Sequence, residues 1–256
     1  MREPGDKVPG DRYGPDVMRF WLLPCVAFLA LSAPAQAGDW ETLAPGIRSQ
    51  PFLNGAGRAF EVDLQQIELR VVEAREHARS TAPLAELVRG TDARLAVNGG
   101  FFDGKSAPLG LLVSGGKRLN RLRKTDWGVF YVTTTGEARV VHTRDFDLKT
   151  PVEFAIQAGP RLVVDDKVLQ LKPQWDRRTA LGIRDARHVV IAVVSGPVLL
   201  ATLAEEMRTT LQCPFALNLD GGSSTQLWSA LPEVTPVLGF SVANAVIAVV
   251  RPTAAP

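Results

Sequence analysis

Cysteine is nearly absent from this 256-residue chain, which carries two. One of them, Cys25, lies inside an apolar run near the N-terminus. A chain cleaved after that run keeps only Cys213 and can form no internal disulfide, so its stability must come from a packed core. Histidine is as scarce. His77, His142 and His188 stand apart, with no H-x-H or H-x-x-x-H pair, and a histidine-based zinc site has no support. An excess of one charge is missing too: 29 Lys and Arg face 27 Asp and Glu, which excludes the strongly basic surface of a nucleic-acid partner. The apolar run FWLLPCVAFLALS is shorter than the ~20 residues of a membrane-spanning helix, so no stable span is expected after cleavage. No low-complexity tract or linker divides residues 38 to 256, which points to one domain.

What is present at the N-terminus speaks of export. Arg19 precedes the apolar run and APAQA-G follows it, with Ala35 and Ala37 in the small-x-small cleavage pattern. Residues 1–37 therefore read as a signal peptide, and the mature chain starts near Gly38. Residues 1–17 are polar, whereas Met18-Arg19 opens a compact signal, so Met18 is the expected translation start. The protein is expected in the periplasm or outside the cell.

Residues 38–59 read as an N-terminal linker and first strand, and 60–256 as the folded domain. Within it, short β-like runs are separated by turn residues. FEVDL and IELRVVEA flank Gln65-Gln66, GVFYVTT and EARVVHT flank Gly136, RLVV and KVLQL flank Asp165-Asp166, and TALGI and HVVIAVV flank RDAR. Each pair is predicted to be a hairpin. Two helices are predicted. One spans roughly Pro83 to Arg89, capped by Thr81 and ended by Gly90. The other spans roughly Leu200 to Gln212, with Leu203, Met207 and Leu211 on one face. Both lead into an apolar strand that ends in a polar residue and two glycines: RLAVNGG and FALNLDGG. This weak internal pseudo-repeat would place Asn98 and Asp220 at equivalent strand ends. The predicted class is α+β, with mixed, largely antiparallel sheets and a few packed helices.

Gly99, Gly104, Lys105 and Ser106 match the G-x-x-x-x-G-K-[ST] phosphate loop. That loop needs a helix beginning at its Lys-Ser, whose N-terminus binds the anion. Here Pro108, Gly110 and SGG at 114–116 prevent one, and no nucleotide partner is expected. GGSST at 221–225 falls short of a nucleophile elbow, because position 225 is Thr rather than Gly.

Four segments concentrate Gly, amides and charge at the ends of apolar runs: VNGGFFD (97–103), IQAGPRLV (156–163), RRTALGI (177–183) and NLDGGSSTQL (218–227). In this order and spacing they resemble the phosphodiester glycosidase family, over about residues 60 to 250. Ala158 stands where many relatives have Ser, and DGGSS is one Gly shorter than the DGGGS of mammalian members. The resemblance implies a hydrolase that cleaves the glycosidic bond of a sugar-1-phosphodiester, in a glycan or a glycolipid.

That chemistry assigns roles. Cleavage at C1 passes through an oxocarbenium-like state, and the departing phosphate monoester, with a second pKa of about 6, leaves readily. The site then needs a cationic clamp and a carboxylate facing the anomeric carbon. Arg178 and Arg161 fit the clamp, because guanidinium binds phosphate oxygens bidentately; Arg177 reads as structural. Asp220, ending a strand before Gly221-Gly222, is the leading carboxylate, and Asp103 the second, although both also suit turn capping. Asn98 and Gln157 offer amides to sugar or phosphate, Gly99 and Gly100 admit a close approach, and Ser223, Ser224 and Thr225 offer hydroxyls. Asp220 and Asp103 would suit Ca²⁺ or Mg²⁺, which prefer oxygen ligands, but no spacing requires a metal. Two other readings stay open: an ordinary glycoside hydrolase using Asp103 and Asp220 on an envelope glycan, and a non-catalytic glycan-binding envelope protein.

Overall fold

The computed structural model describes residues 40–252; the signal peptide and the Met18 start lie outside them. Three antiparallel sheets make up these residues. The largest has eight strands in the order β1 (Glu41–Ala44), β2 (Ile47–Phe52), β3 (Gly57–Asp63), β14 (His188–Leu199), β13 (Trp175–Ile183), β15 (Phe215–Asn218), β11 (Arg161–Val164) and β12 (Lys167–Val168). A five-stranded sheet runs β7 (Lys117–Asn120), β6 (Leu112–Ser114), β10 (Val152–Ala158), β8 (Gly128–Thr133) and β9 (Ala138–His142). A four-stranded sheet runs β16 (Leu227–Ser229), β5 (Ala93–Asn98), β17 (Asn244–Val250) and β4 (Ile67–Glu73).

One core joins the three sheets. Phe60, Leu181 and Leu217 of the first meet Phe130, Phe154 and Ile156 of the second and Leu69 and Leu95 of the third. With no crosslink available, burial of these side chains supplies the driving force the sequence demanded, at roughly 25 cal/mol per Å² of apolar surface. Helix α2 (Leu200–Thr209) covers the other face of the large sheet, laying Leu203, Ala204 and Met207 on Ala180, Val190 and Ala216. That double cover explains why β14 is apolar through Val189–Val194 without alternation.

The α+β class and the antiparallel pairing agree with the sequence, as do the hairpins β8–β9, β11–β12 and β13–β14. The hairpin predicted around Gln65-Gln66 does not form. β3 is already paired on both sides, by β2 and β14, so no edge is left for β4, which joins β17 in another sheet. Residues 41–52 are not a linker: β1 and β2 build the edge of the large sheet. Helix α1 (Leu84–Leu87) is shorter than predicted, and its N-cap is Pro83 rather than Thr81. The two matching helix–strand passages end in different sheets, β5 in the four-stranded one and β15 in the eight-stranded one.

Candidate active site

The ends of β5 and β15 meet where these two sheets join. Asn98, the last residue of β5, donates from Nδ2 to the Asp220 carbonyl oxygen at 2.7 Å. Its Oδ1 accepts from Thr179 Oγ1 at 2.6 Å and from the Gln226 amide at 3.2 Å. The Asp220 amide in turn donates to the Gly99 carbonyl at 3.2 Å. Both polar atoms of the fully buried Asn98 side chain thus have protein partners, and through them Asn98 positions the Asp220 loop.

The loop it holds is electrically unusual. Burial lifts the Asp220 carboxyl above the ordinary aspartate range, and the charge of Asp176 adds to the rise; the Ser224 side chain and the Gly221 amide act against it. The Gly221 amide donates to Asp220 Oδ1 at 3.0 Å. Arg178 lies against the same loop: a Cβ on Gly221 would be 3.7 Å from its Nη1. Only 7% of Arg178 is exposed, and burial lowers its pKa while Asp176 counteracts this. Its Nη2 donates to the Gln174 carbonyl at 2.8 Å, but its buried Nε has no partner, and no carboxylate forms an ion pair with it among the described residues. A buried guanidinium left this way is costly unless an anion completes it.

The remaining predicted residues divide sharply. Gly222 runs through φ +63° with the Asp176 carboxylate against its Cα, and Gly99 lies so close to Asn244 that a Cβ would stand 2.0 Å from Asn244 Oδ1. Gly100 is held by that same oxygen, which accepts its amide at 2.8 Å. Ser223 is exposed beside the loop, Ser224 is buried, and Thr225 is fully buried with an unpartnered Oγ1.

Other assignments need correction. Gln157 is 1% exposed and its amide is saturated: Oε1 accepts from the Leu111 and Arg123 amides, and Nε2 donates to the Arg123 carbonyl and Thr143 Oγ1. It ties a loop to β10 and has nothing left for substrate. Asp103 is engaged by its own turn. Its Oδ1 accepts from the Lys105 and Ala107 amides at 2.8 and 2.9 Å, which holds its pKa down and closes its own turn. Within the G-x-x-x-x-G-K-S stretch the Lys105 and Ser106 amides are thus taken by Asp103 and the Gly100 amide by Asn244, and the next element after Ser106 is strand β6. Arg161 has its own surroundings. Its stem packs over Gly128, where a Cβ would meet its Cγ at 2.6 Å, and its charge acts on Asp126.

Asp176 is the residue that sequence reasoning missed. It touches Gly222 and acts electrostatically on both Asp220 and Arg178. Gln226 and Asn244 were missed as well, as supports of the two Gly-Gly loops. Arg177 has the structural role expected of it, donating from Nη2 to the Thr225 and Leu238 carbonyls at 2.8 and 2.7 Å. Among the described residues no group of three His, Cys, Asp or Glu comes together to hold a metal.

The phosphodiester glycosidase family model matches residues 91–249, a span that contains all four Gly-rich segments. An uncharacterised Escherichia coli protein, YigE, is 27% identical over 211 residues, covering 74% of this chain and 83% of its own. The catalytic domain of zebrafish N-acetylglucosamine-1-phosphodiester α-N-acetylglucosaminidase, in a form auto-inhibited by its pro-peptide, superposes with a TM-score of 0.66 at 17% identity, covering 84% of this chain and 87% of that one. A putative exported protein of Burkholderia pseudomallei superposes with a TM-score of 0.56 at 12% identity, covering 75% and 73%. At these identities the structures share the fold.

Proposed function

The chain belongs to the phosphodiester glycosidase family, and from that premise we propose that it is an exported hydrolase of sugar-1-phosphodiesters with Asp220 and Arg178 at its reacting centre. The observation that carries this is the buried Arg178 Nε without a partner, one loop away from a carboxylate whose pKa is raised. Arg178 takes the phosphate oxygens as the C1–O bond breaks, so negative charge builds up where a guanidinium is waiting. Water adds to C1, and its proton passes to Asp220, which a raised pKa makes a better base than an ordinary aspartate. Burial keeps that pKa high, and the Asp176 charge adds to the rise while it favours the charged form of Arg178. Asn98 fixes the backbone between them.

Export is supported by the apolar run and the Ala35-Gln36-Ala37 boundary. Mass spectrometry of protein recovered from its native cell should find a chain that starts near Gly38; intact protein in the cytoplasm would remove this part. The activity is tested by screening sugar-1-phosphodiesters beside aryl glycosides of the same sugars. Turnover of the phosphodiesters, abolished by Asp220→Asn with folding intact, is the expected result. Turnover of aryl glycosides alone would sink the reading.

A further inference from the structure

Five large apolar side chains stay exposed among the described residues, and three of them, Trp175, Leu238 and Phe240, belong to segments whose backbone or neighbouring residue contacts the loop after Asp220. Their exposures are 67, 84 and 75%. Trp175 opens β13 next to Asp176, with Lys172 exposed just before it. Leu238 and Phe240 flank Gly239, which is pressed so tightly on the site loop that a Cβ would stand 2.6 Å from the Thr225 carbonyl and 2.7 Å from the Ser223 carbonyl.

This tip is tied down. The Phe240 amide donates to Ser223 O at 2.7 Å, Gln226 Nε2 donates to Phe240 O, and Arg177 Nη2 donates to Leu238 O. Arg177 lies two residues along from Trp175, so the strand that carries Trp175 is bonded directly to the Leu238 backbone. Apolar side chains on a backbone fixed this firmly have no route to the core. A clustered, exposed apolar patch of this kind marks a binding surface. The patch borders the loop that carries Asp220, through the Phe240–Ser223 and Arg177–Thr225 hydrogen bonds.

We propose that the substrate is a glycosyl phospholipid held in a bilayer, and that Trp175, Leu238 and Phe240 enter the bilayer surface around its hydrocarbon. This rests on the phosphodiester glycosidase reading of the site. Trp and Leu suit the membrane–water interface, where an apolar body meets polar headgroups, and Lys172 and Arg177 favour an anionic one.

The test has two arms, both on the full chain. In the first, flotation with phosphatidylcholine vesicles, with and without phosphatidylglycerol, compares the wild type with Trp175→Ser and with the double variant Leu238→Ser, Phe240→Ser. These side chains are exposed, so the fold should survive, which thermal melts check. The wild type should float, and each variant should bind about tenfold more weakly or worse. In the second arm, methyl and long-chain alkyl esters of one sugar-1-phosphate are compared, the latter in vesicles. The wild type should prefer the long-chain ester, and the double variant should lose that preference. Failure to float, or equal flotation of all three proteins, overturns the proposal. So does a dimer that the same substitutions abolish. Hydrolysis of both esters at equal kcat/KM overturns it while leaving the glycosidase reading intact. Flotation without hydrolysis of either ester removes the glycosidase reading, and the substrate named here with it.

Discussion

The Asp176 carboxylate rests against the Cα of Gly222: a Cβ added there would stand 2.9 Å from its Oδ2 and 3.2 Å from its Oδ1. This contact brings a residue of β13 to the loop that follows β15, where its charge adds to the effect of burial on Asp220. Gly222 also holds φ at +63°, where an L side chain is strained.

Gly222→Ala should therefore fail on two counts. The left-handed backbone costs about 1–2 kcal/mol, and the new methyl displaces Asp176. We expect a Tm lower by a few degrees and a larger fall in kcat than in KM. Calorimetry together with steady-state kinetics checks both, and wild-type values in each would show that the Asp176 contact is dispensable.

Asp220 should make the protein less stable at neutral pH than Asn in its place. Burial first, and then the Asp176 charge, raise its native pKa above the ordinary 3.8. The native state then holds its proton to higher pH than the unfolded chain. Unfolding free energy falls as pH rises from below 3.8 through the raised value, and stays lower above it. Asp220→Asn has no such proton to lose. Its Tm should exceed that of the wild type near neutral pH, and the gap should close below the unfolded pKa. Paired thermal melts across this range measure it. A variant less stable than the wild type at neutral pH would contradict the assigned cause.

Which parts of this could be read from sequence follows from how local each feature is. The β8–β9 and β13–β14 hairpins turn on Gly136 and on RDAR, short signals within one stretch of chain. Helix α2 announced itself by the spacing of Leu203 and Met207, and Asp220 by ending an apolar strand before two glycines. The β3–β4 pairing failed because the partners of β3 come from β2 and β14, and β14 lies more than a hundred residues away. Asp176 belongs to no motif. It reaches the site because the register shifts between Asp176 and Arg178 and because Gly222 leaves room for it.

Asp103 marks the opposite case, a residue whose type suited catalysis and whose neighbours had already engaged it. Its Oδ1 accepts two amides of its own turn, and an Asn side-chain oxygen can accept both, more weakly for want of the charge, at a site that is open to solvent. Asp103→Asn should keep its Tm and its kcat/KM on a sugar-1-phosphodiester close to wild type. A loss of several orders of magnitude would return Asp103 to the reacting centre.

Arg178 gives the sharpest test of how the site divides its work. If its guanidinium stabilises departing phosphate, Arg178→Ala should slow a sugar-1-phosphodiester far more than an activated aryl glycoside, whose leaving group carries no phosphate. Loss of one strong transition-state contact costs roughly 10²–10³ in rate. The side chain is buried, with its Nη2 on the Gln174 carbonyl, so the alanine variant must first be shown to fold. Arg178→Lys keeps a positive charge and most of the stem but loses the planar fork that meets two phosphate oxygens at once, so it should recover only part of the rate. The partial rescue separates charge from geometry, and the comparison of leaving groups separates phosphate binding from sugar binding. Equal losses on both substrates would mean that Arg178 holds the sugar or the loop, and its unpartnered Nε would then need another ligand.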